Sequence, residues 1–403
     1  MAHLAYLFER FPSFTQTFCY REVVELGRQN CMPQVFSIRR PEGESTGNWD
    51  PQLVRRVQYL PDEKELIQAV DNDLRRGKIP DNAAKAIADW GRQTDFLRLY
   101  QAAYIGVHLE TDTHLHAHFA GMAARTAYWI KEFFNVPFSF TAHANDIFVP
   151  RSFAIGLDRL VDAASAVITE TDYAANYLRE RFPGSAAKIE RVYNGIDATN
   201  FARANFDAPI PLILSVGRLI EKKGFTDLIE ACRLLRDSGR EFRGEIIGDG
   251  PLQNDLHTQI VRADLEPRIR LVGSQSQEKI HGRLAAAHLF VLPCVQDTAG
   301  GSDNLPTVIA EAMAAGLPVV STSIAGIPEM VEHNVTGELV PPNEPRALAA
   351  ALERIITNLP RARQLGARGL EVAGEKFSIV TSAQSLLGIF NKLRRPDSAP
   401  SIA

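Results

Sequence analysis

The feature that most constrains the fold is an alternation that runs through the chain twice. Short apolar runs of four to six residues recur at 4–8, 34–38, 57–60, 114–119, 138–141, 166–169 and 189–193. Longer stretches with helical periodicity lie between them, at 21–29, 63–76, 82–107, 122–134 and 173–181. Strand-like runs separated by helix-length segments imply a mostly parallel sheet covered by helices on both faces. The pattern then breaks. Asn194-Gly195 is a turn signal, and residues 197–211 lack periodicity and carry Asn205, Pro209 and Pro211. It restarts with apolar runs at 212–216, 244–247, 269–272, 289–292 and 318–321. The expectation is an α/β chain of two doubly wound, Rossmann-like domains: 1–200 and 201–376. Residues 377–403 form a last helix and tail, expected to pack back on the first domain. Ligands of open parallel sheets bind beyond the carboxyl ends of the strands. Two such domains facing each other would form a cleft to which both contribute.

Charge and cysteine usage narrow the function. The 403 residues carry 44 basic and 48 acidic side chains, and each half, split after Gly195, holds 22 and 24 of them. Neither half is basic, which argues against a nucleic-acid partner. Cys19, Cys31, Cys232 and Cys294 form no C-x-x-C pair, which argues against a zinc knuckle or disulfide framework and for a reducing compartment. The longest uncharged stretch, 312–328, is broken by Gly316, Pro318 and Gly326, so it does not read as a membrane span. Glu9 and Arg10 interrupt the apolar start too early for a signal peptide. A soluble cytoplasmic protein is the resulting expectation.

Two segments carry candidate chemistry. In the first, a strand ends at Gly217, where backbone can approach a ligand, and Arg218 and Lys223 follow on the loop into a helix. A guanidinium fork, an ammonium and a helix start together suit a diphosphate, above all one that gains charge as it leaves. In the second, a Gly-rich loop at 298–302 leads to Asp303, and Asn304, Leu305, Pro306 and Thr307 are expected to open a helix with Glu311 about two turns in. Such a helix start can donate N–H groups to phosphate or sugar, while Asp303 and Glu311 accept from hydroxyls. N-capping explains Asp303 well. It does not explain Glu311, which sits among Ile309, Ala310, Ala312 and Met313.

These segments, with several others, resemble the family-four retaining glycosyltransferases of GT-B architecture, in particular bacterial exopolysaccharide and colanic-acid types. The phrases that carry the resemblance are Phe11-Pro12-x-x-Thr15-Gln16-Thr17-Phe18 with Glu22, then His114-Leu115-His116-Ala117-His118-Phe119-Ala120 and Thr141-Ala142-His143-Ala144-Asn145-Asp146-Ile147. Asn194-Gly195-Ile196-Asp197, Gly217-Arg218 with Lys222-Lys223-Gly224, Gly248-Asp249-Gly250-Pro251 and Ala325-Gly326-Ile327-Pro328-Glu329 complete the series. Their number, order and spacing carry the assignment.

The resemblance implies roles. Arg218 and Lys223 hold the diphosphate of a nucleotide-diphospho-sugar, UDP- or GDP-linked. Glu311 bonds the ribose, while Asp303 and the backbone of Asn304, Leu305, Pro306 and Thr307 hold the donor sugar. His143 reaches the transferring sugar from the first domain. The loop 12–17, with Thr15, Gln16 and Thr17, closes over the phosphates or the acceptor, and residues 272–276 line the base. The acceptor implied is a glycan or lipid-linked sugar at the inner membrane face, where Arg55, Arg56, Arg75 and Arg76 are candidates for lipid contact. No cofactor and no metal are implied. Two departures stand out: Asp303 replaces the usual Glu and Asn304 the usual Gly. The shorter carboxylate pulls back by about one C–C step of roughly 1.5 Å.

Other readings are weaker. His114, His116 and His118 alternate on a strand and point to one face, as zinc ligands can. No later strand end offers a complementary ligand set, so hydrogen-bonded core histidines are the better reading. Gly248-Asp249-Gly250 has Gln253 where the dinucleotide fingerprint needs glycine, which removes a dehydrogenase. A pyridoxal-phosphate phosphorylase of the same fold is disfavoured by the chain's length. A non-catalytic sugar-nucleotide-binding module remains as the alternative.

Overall fold

The computed structural model describes residues 3–41, 49–90 and 95–394. The chain divides into two compact units. One holds the chain up to Glu170, Ala175–Gly195 and the segment from Ser382; the other holds Thr171–Ala174 and Ile196–Thr381.

The first unit is built on seven strands: β1 (Leu4–Arg10), β2 (Gln34–Arg39), β3 (Gln58–Tyr59), β4 (His114–His118), β5 (Phe138–Ala142), β6 (Ala166–Thr169) and β7 (Ile189–Arg191). They pair in the order β3-β2-β1-β4-β5-β6-β7, and all pairings are parallel. The central strands are buried on both faces, which is why they read as short continuous apolar runs rather than as alternations. On one face Tyr6, Phe8 and Phe11 pack with Val23 and Leu26 of the helix Thr17–Arg28 and with Ala383, Leu386 and Phe390 of the helix Ile379–Arg394. Arg395, Pro396 and the polar end lie outside the described residues.

The second unit repeats the topology with β8 (Leu212–Val216), β9 (Arg243–Ile247), β10 (Ile269–Gly273), β11 (Leu289–Leu292), β12 (Val319–Thr322) and β13 (Gly337–Val340), in the order β10-β9-β8-β11-β12-β13. Both sheets reverse direction of growth at one place, between β1 and β4 and between β8 and β11. That switch point is where an open α/β sheet leaves a crevice beyond its carboxyl ends.

Two differences from the sequence reading have physical causes. The helix expected over 82–107 is two helices, Asp81–Trp90 and Phe96–His108; residues 91–94 lie outside the described set. Asp95 has φ 90°, a left-handed backbone that cannot continue a right-handed helix. β13 went unrecognised because it contains Glu338. That carboxylate is fully buried, and Arg354 and Arg361 neutralise it from later helices.

Candidate functional site

In the second unit, the loop after β8 is set by close backbone approaches. Gly217 N–H donates to the Ile247 carbonyl at 2.9 Å, and a Cβ on Gly248 would overlap the Gly217 carbonyl. A short turn, Glu221–Lys223, ends at Gly224, which has φ 68° and whose missing Cβ makes room for the Pro293 carbonyl. The helix Phe225–Asp237 starts there. Val295 N–H bonds the Lys222 carbonyl at 3.0 Å, so the loops after β8 and β11 are tied together at the switch point.

That tie brings three charges into one cluster. Lys222 Nζ lies 3.1 Å from Asp303 Oδ1, and Lys223 Nζ bonds Asp303 Oδ2. Cys294 Sγ sits 3.7 Å from the same oxygen. Burial alone would raise the Asp303 carboxyl, but the charges of Lys223 and then Lys222 outweigh it and hold it below the ordinary carboxylate range. Burial likewise opposes the Lys223 ammonium, and Asp303 more than compensates, raising its pKa. The Cys294 thiol is pushed up by burial and by Asp303, so it stays neutral. Arg218 is exposed and forms no ion pair among the described residues. Asp303 and Lys223 are thus one ion-paired group rather than two independent ligands. Lys222 is a member that reasoning from the spacing alone did not single out.

The helix expected to open at Asn304 begins later, at Thr307, with Pro306 as its N-cap. A proline disfavours helical backbone in the residue before it, so Leu305 stays out of the helix. Asp303, Asn304, Leu305 and Pro306 form a buried approach to the helix, and Asp303 does not cap it. Glu311 is consequently one turn in, not two. It is 8 % exposed, among fully buried Ile309, Ala312 and Met313. Asn304 is the most telling side chain. It is 2 % exposed; its Oδ1 accepts from Thr171 Oγ1 at 2.7 Å, while Nδ2 is buried with no acceptor among the described residues. A buried donor left unmatched costs about 1–3 kcal/mol. The Gly-rich loop before it is shaped by Asp297, which accepts from Ala299 and Gly301, and by Glu221, which accepts from Thr298. Residues 272–276 span the end of β10 and the loop after it, with Ser274 Oγ on Asp249 at 2.5 Å.

The switch point of the first unit is filled differently. His143 caps the helix Ala144–Phe148, and Asp146 Oδ2 accepts from the backbone N–H of His143 and Ala120. His143 Nδ1 lies 2.5 Å from Glu170 Oε1, which also accepts from Asn194 Nδ2 at 2.7 Å. His143 Nε2 is 3.4 Å from His118 Nδ1; His118 Nε2 is 3.2 Å from Glu22, and Tyr6 donates to Glu22 at 2.6 Å. Burial disfavours the charged imidazole of His143, but the charge and hydrogen bond of Glu170 outweigh it, so its pKa is raised. Phe18 and Phe119 flank the ring. Glu170 was missed as the partner of His143, and Asn194 as the partner of Glu170; the one signal was a carboxylate directly after an apolar strand. Thr15 and Gln16 form a 3-10 turn and Thr17 opens the following helix, with Thr15 exposed and Ser13 Oγ 3.1 Å from its hydroxyl.

Glu22, His116 and His118 have ligand atoms within 4.8 Å of one another. Both nitrogens of His116 already meet hydroxyls, Ser139 at 2.8 Å and Thr141 at 3.0 Å. Burial, then the neighbouring histidines, hold its pKa well below the ordinary value. All three side chains are buried and hydrogen-bonded in the core, His118 to Glu22 at 3.2 Å.

Residues 197–372 match the family Glycosyl transferases group 1, and residues 91–200 match Glycosyltransferase Family 4. Together the matches run from 91 to 372, more than half of the chain. The chain belongs to these glycosyltransferases, and its two parallel sheets are the Rossmann-like pair of the GT-B type. It is 46 % identical over 172 residues to the amylovoran biosynthesis glycosyltransferase AmsK of Erwinia amylovora, covering 42 % of each chain. It is 44 % identical over 160 residues to the putative colanic acid biosynthesis glycosyltransferase WcaL of Escherichia coli, covering 39 % of each. These matched stretches thus span about two fifths of either relative's length. Among solved structures, HepE from Anabaena in complex with UDP superposes with a TM-score of 0.72 at 19 % identity, over 97 % of this chain and 100 % of that one. Among the described residues no helix is long and apolar enough to cross a membrane.

Proposed function

We propose that this chain transfers a sugar from a nucleotide-diphospho-sugar, UDP- or GDP-linked, to a hydroxyl of a glycan or lipid-linked acceptor in exopolysaccharide synthesis, with retention of configuration. The observation that carries this reading is the cluster at the β8/β11 switch point: two lysines sharing one aspartate beside the unmatched Nδ2 of Asn304. Lys223, Lys222 and the exposed Arg218 supply fixed positive charge where a diphosphate leaves. The bond from the sugar's anomeric carbon to the diphosphate oxygen breaks. The acceptor oxygen forms the new bond on the same face, and its proton goes to the departing phosphate oxygen. Asp303 holds the lysines in place and, once the diphosphate competes for them, turns toward the donor sugar. Asn304 Nδ2 donates to that sugar, and Glu311 takes the ribose hydroxyls. His143, oriented by Glu170, contacts the transferring sugar after leaving His118.

This reading needs no metal, since fixed cations neutralise the leaving group. It places the enzyme in the cytoplasm or at the inner membrane face, with the exposed Arg55, Arg56, Arg75 and Arg76 toward anionic lipid. UDP complexes of HepE support a nucleotide donor, and the exopolysaccharide relatives support the acceptor class. The test is a nucleotide-release assay over a panel of donors chosen by thermal shift, in EDTA. Release that survives chelation, with a product of retained anomeric configuration by NMR, is the expected result. Binding without release from any donor would instead make the chain a sugar-nucleotide-binding module.

A further inference from the structure

The first unit carries a second charged cluster that the mechanism above does not use. It sits beyond the carboxyl ends of β1 and β4, at the N-termini of the helices Phe96–His108 and Met122–Phe134. Arg98 and Arg125 lie in the first turns of these helices and are only 6 % and 4 % exposed. Cations are disfavoured there by the helix dipole, and neither helix has an acidic residue in its first turn. Among the described residues Asp95 is the one carboxylate within ion-pair distance of both guanidinium groups, and Glu9 acts on them from farther away. Arg125 Nη1 donates to Asp95 Oδ2 at 2.5 Å, and its Nε donates to the Gly121 carbonyl at 3.1 Å. Arg98 Nε stays 3.9 Å from Asp95 Oδ1, beyond hydrogen-bond distance. Arg98 Nε and Nη1 are buried with no acceptor among the described residues.

The surroundings do not cancel the surplus. Glu9 favours both charges, but Arg39 pairs with it at 3.3 Å and itself opposes Arg98, and Arg151 adds a further positive charge within reach of Arg125. Burial, resisted by Asp95 and reinforced by Arg125, pulls the Arg98 pKa down to about 10. Asp95 itself is strained. Its φ of 90° is rare for a non-glycine residue, and its carboxylate faces the arginines instead of capping its own helix. Its side chain keeps 19 % of its surface exposed, so the pair opens to solvent on that side.

We propose that Arg98 and Arg125 form an anion site for a phosphate or diphosphate group carried by the acceptor, with the Arg98 Nε and Nη1 hydrogens as its unmatched donors. The acceptor as source rests on the transferase reading above; the anion site does not. Asp95 holds the two guanidinium groups together, and the anion adds the negative charge and the acceptors that the pair lacks.

The test uses the full chain with Lys222→Ala/Lys223→Ala as background, so that the lysine cluster of the second unit cannot report. Inorganic pyrophosphate and geranyl diphosphate are titrated, with melting temperature as the readout. Both are expected to raise it. Arg98→Met is expected to fold, because an apolar side chain replaces a buried unmatched charge. It should move the titration midpoint up by about tenfold or more. Asp95→Asn, which the left-handed backbone tolerates, should move the midpoint down, whereas a purely structural ion pair would only lose stability. No shift in the lysine background, or an unchanged midpoint in Arg98→Met, would overturn the site; should Arg98→Met not fold, an unchanged or raised midpoint in Asp95→Asn would do the same. A geranyl diphosphate midpoint well below that of pyrophosphate supports the acceptor as source, and equal midpoints overturn that assignment. Neither readout requires turnover, so a failed transfer assay leaves this test intact.

Discussion

The two units share one strand order but fill their switch points with different chemistry. In the second, glycine-permitted backbone contacts hold a charged cluster of Lys222, Lys223 and Asp303 around an unmatched amide. In the first, His118, His143, Glu22 and Glu170 form a chain of matched hydrogen bonds among aromatic rings. The same topology therefore supplies a place, and the side chains at the strand ends decide what it does. One place gathers two ammonium groups on one carboxylate; the other holds one histidine against a carboxylate that raises its pKa.

The sharpest way to break this contrast is to remove charge from the second unit. Lys223→Ala should lower kcat by about a hundredfold or more while the melting temperature shows a folded protein. Wild-type nucleotide release from this variant would sink the diphosphate assignment. Next comes the backbone that places the lysines. Gly224→Ala should cost more than the roughly 1–2 kcal/mol of a left-handed non-glycine residue, because its Cβ meets the Pro293 carbonyl. Gly239→Ala, at φ 77° with open space around it, should cost only the backbone part. Equal losses in denaturant melts would mean the close approach is unimportant.

The protonation contrast predicts opposite pH trends. The raised pKa of His143 gives stability that is full below its ordinary value of about 6.5 and is lost as pH rises through the folded value. The gap between wild type and Glu170→Gln should therefore narrow toward alkaline pH. The depressed pKa of Asp303 works the other way: its contribution is full above about 3.9 and is lost as pH falls through the folded value. The gap between wild type and Asp303→Asn should narrow toward acid. Melting curves across pH read both, and parallel trends would contradict the assignments. Smallest is the surface effect. Replacing Arg55, Arg56, Arg75 and Arg76 by alanine should leave stability within about 0.5 kcal/mol. Retention on anionic vesicles should nevertheless fall, by sedimentation at low salt.

Much of the site's composition was readable along the chain because its parts are local. Gly217 follows a strand, Lys222-Lys223-Gly224 marks a turn, and Asn304 and Glu311 flank a helix start. Their pairing was not readable. Lys223 and Asp303 are 80 positions apart, and only the packing of two loops at the switch point makes them one group. The one sign that Glu170 holds His143, its place directly after a strand, was too weak to use, since a carboxylate there is as often solvated. Arg98 read as one charge within a helical pattern; its burial beside Arg125 emerged only when two helix starts converged.

By itself the sequence determined the two doubly wound units, because hydrophobic periodicity is a local consequence of strand and helix geometry. It also determined which residue types stand at the strand ends. Tertiary structure alone decided which charges share a partner, which buried donors are left without one, and where Glu338 could form a strand. Those outcomes depend on burial and on distances between segments far apart in the chain, and burial sets both the strength of a charge's interactions and the cost of leaving it unmatched.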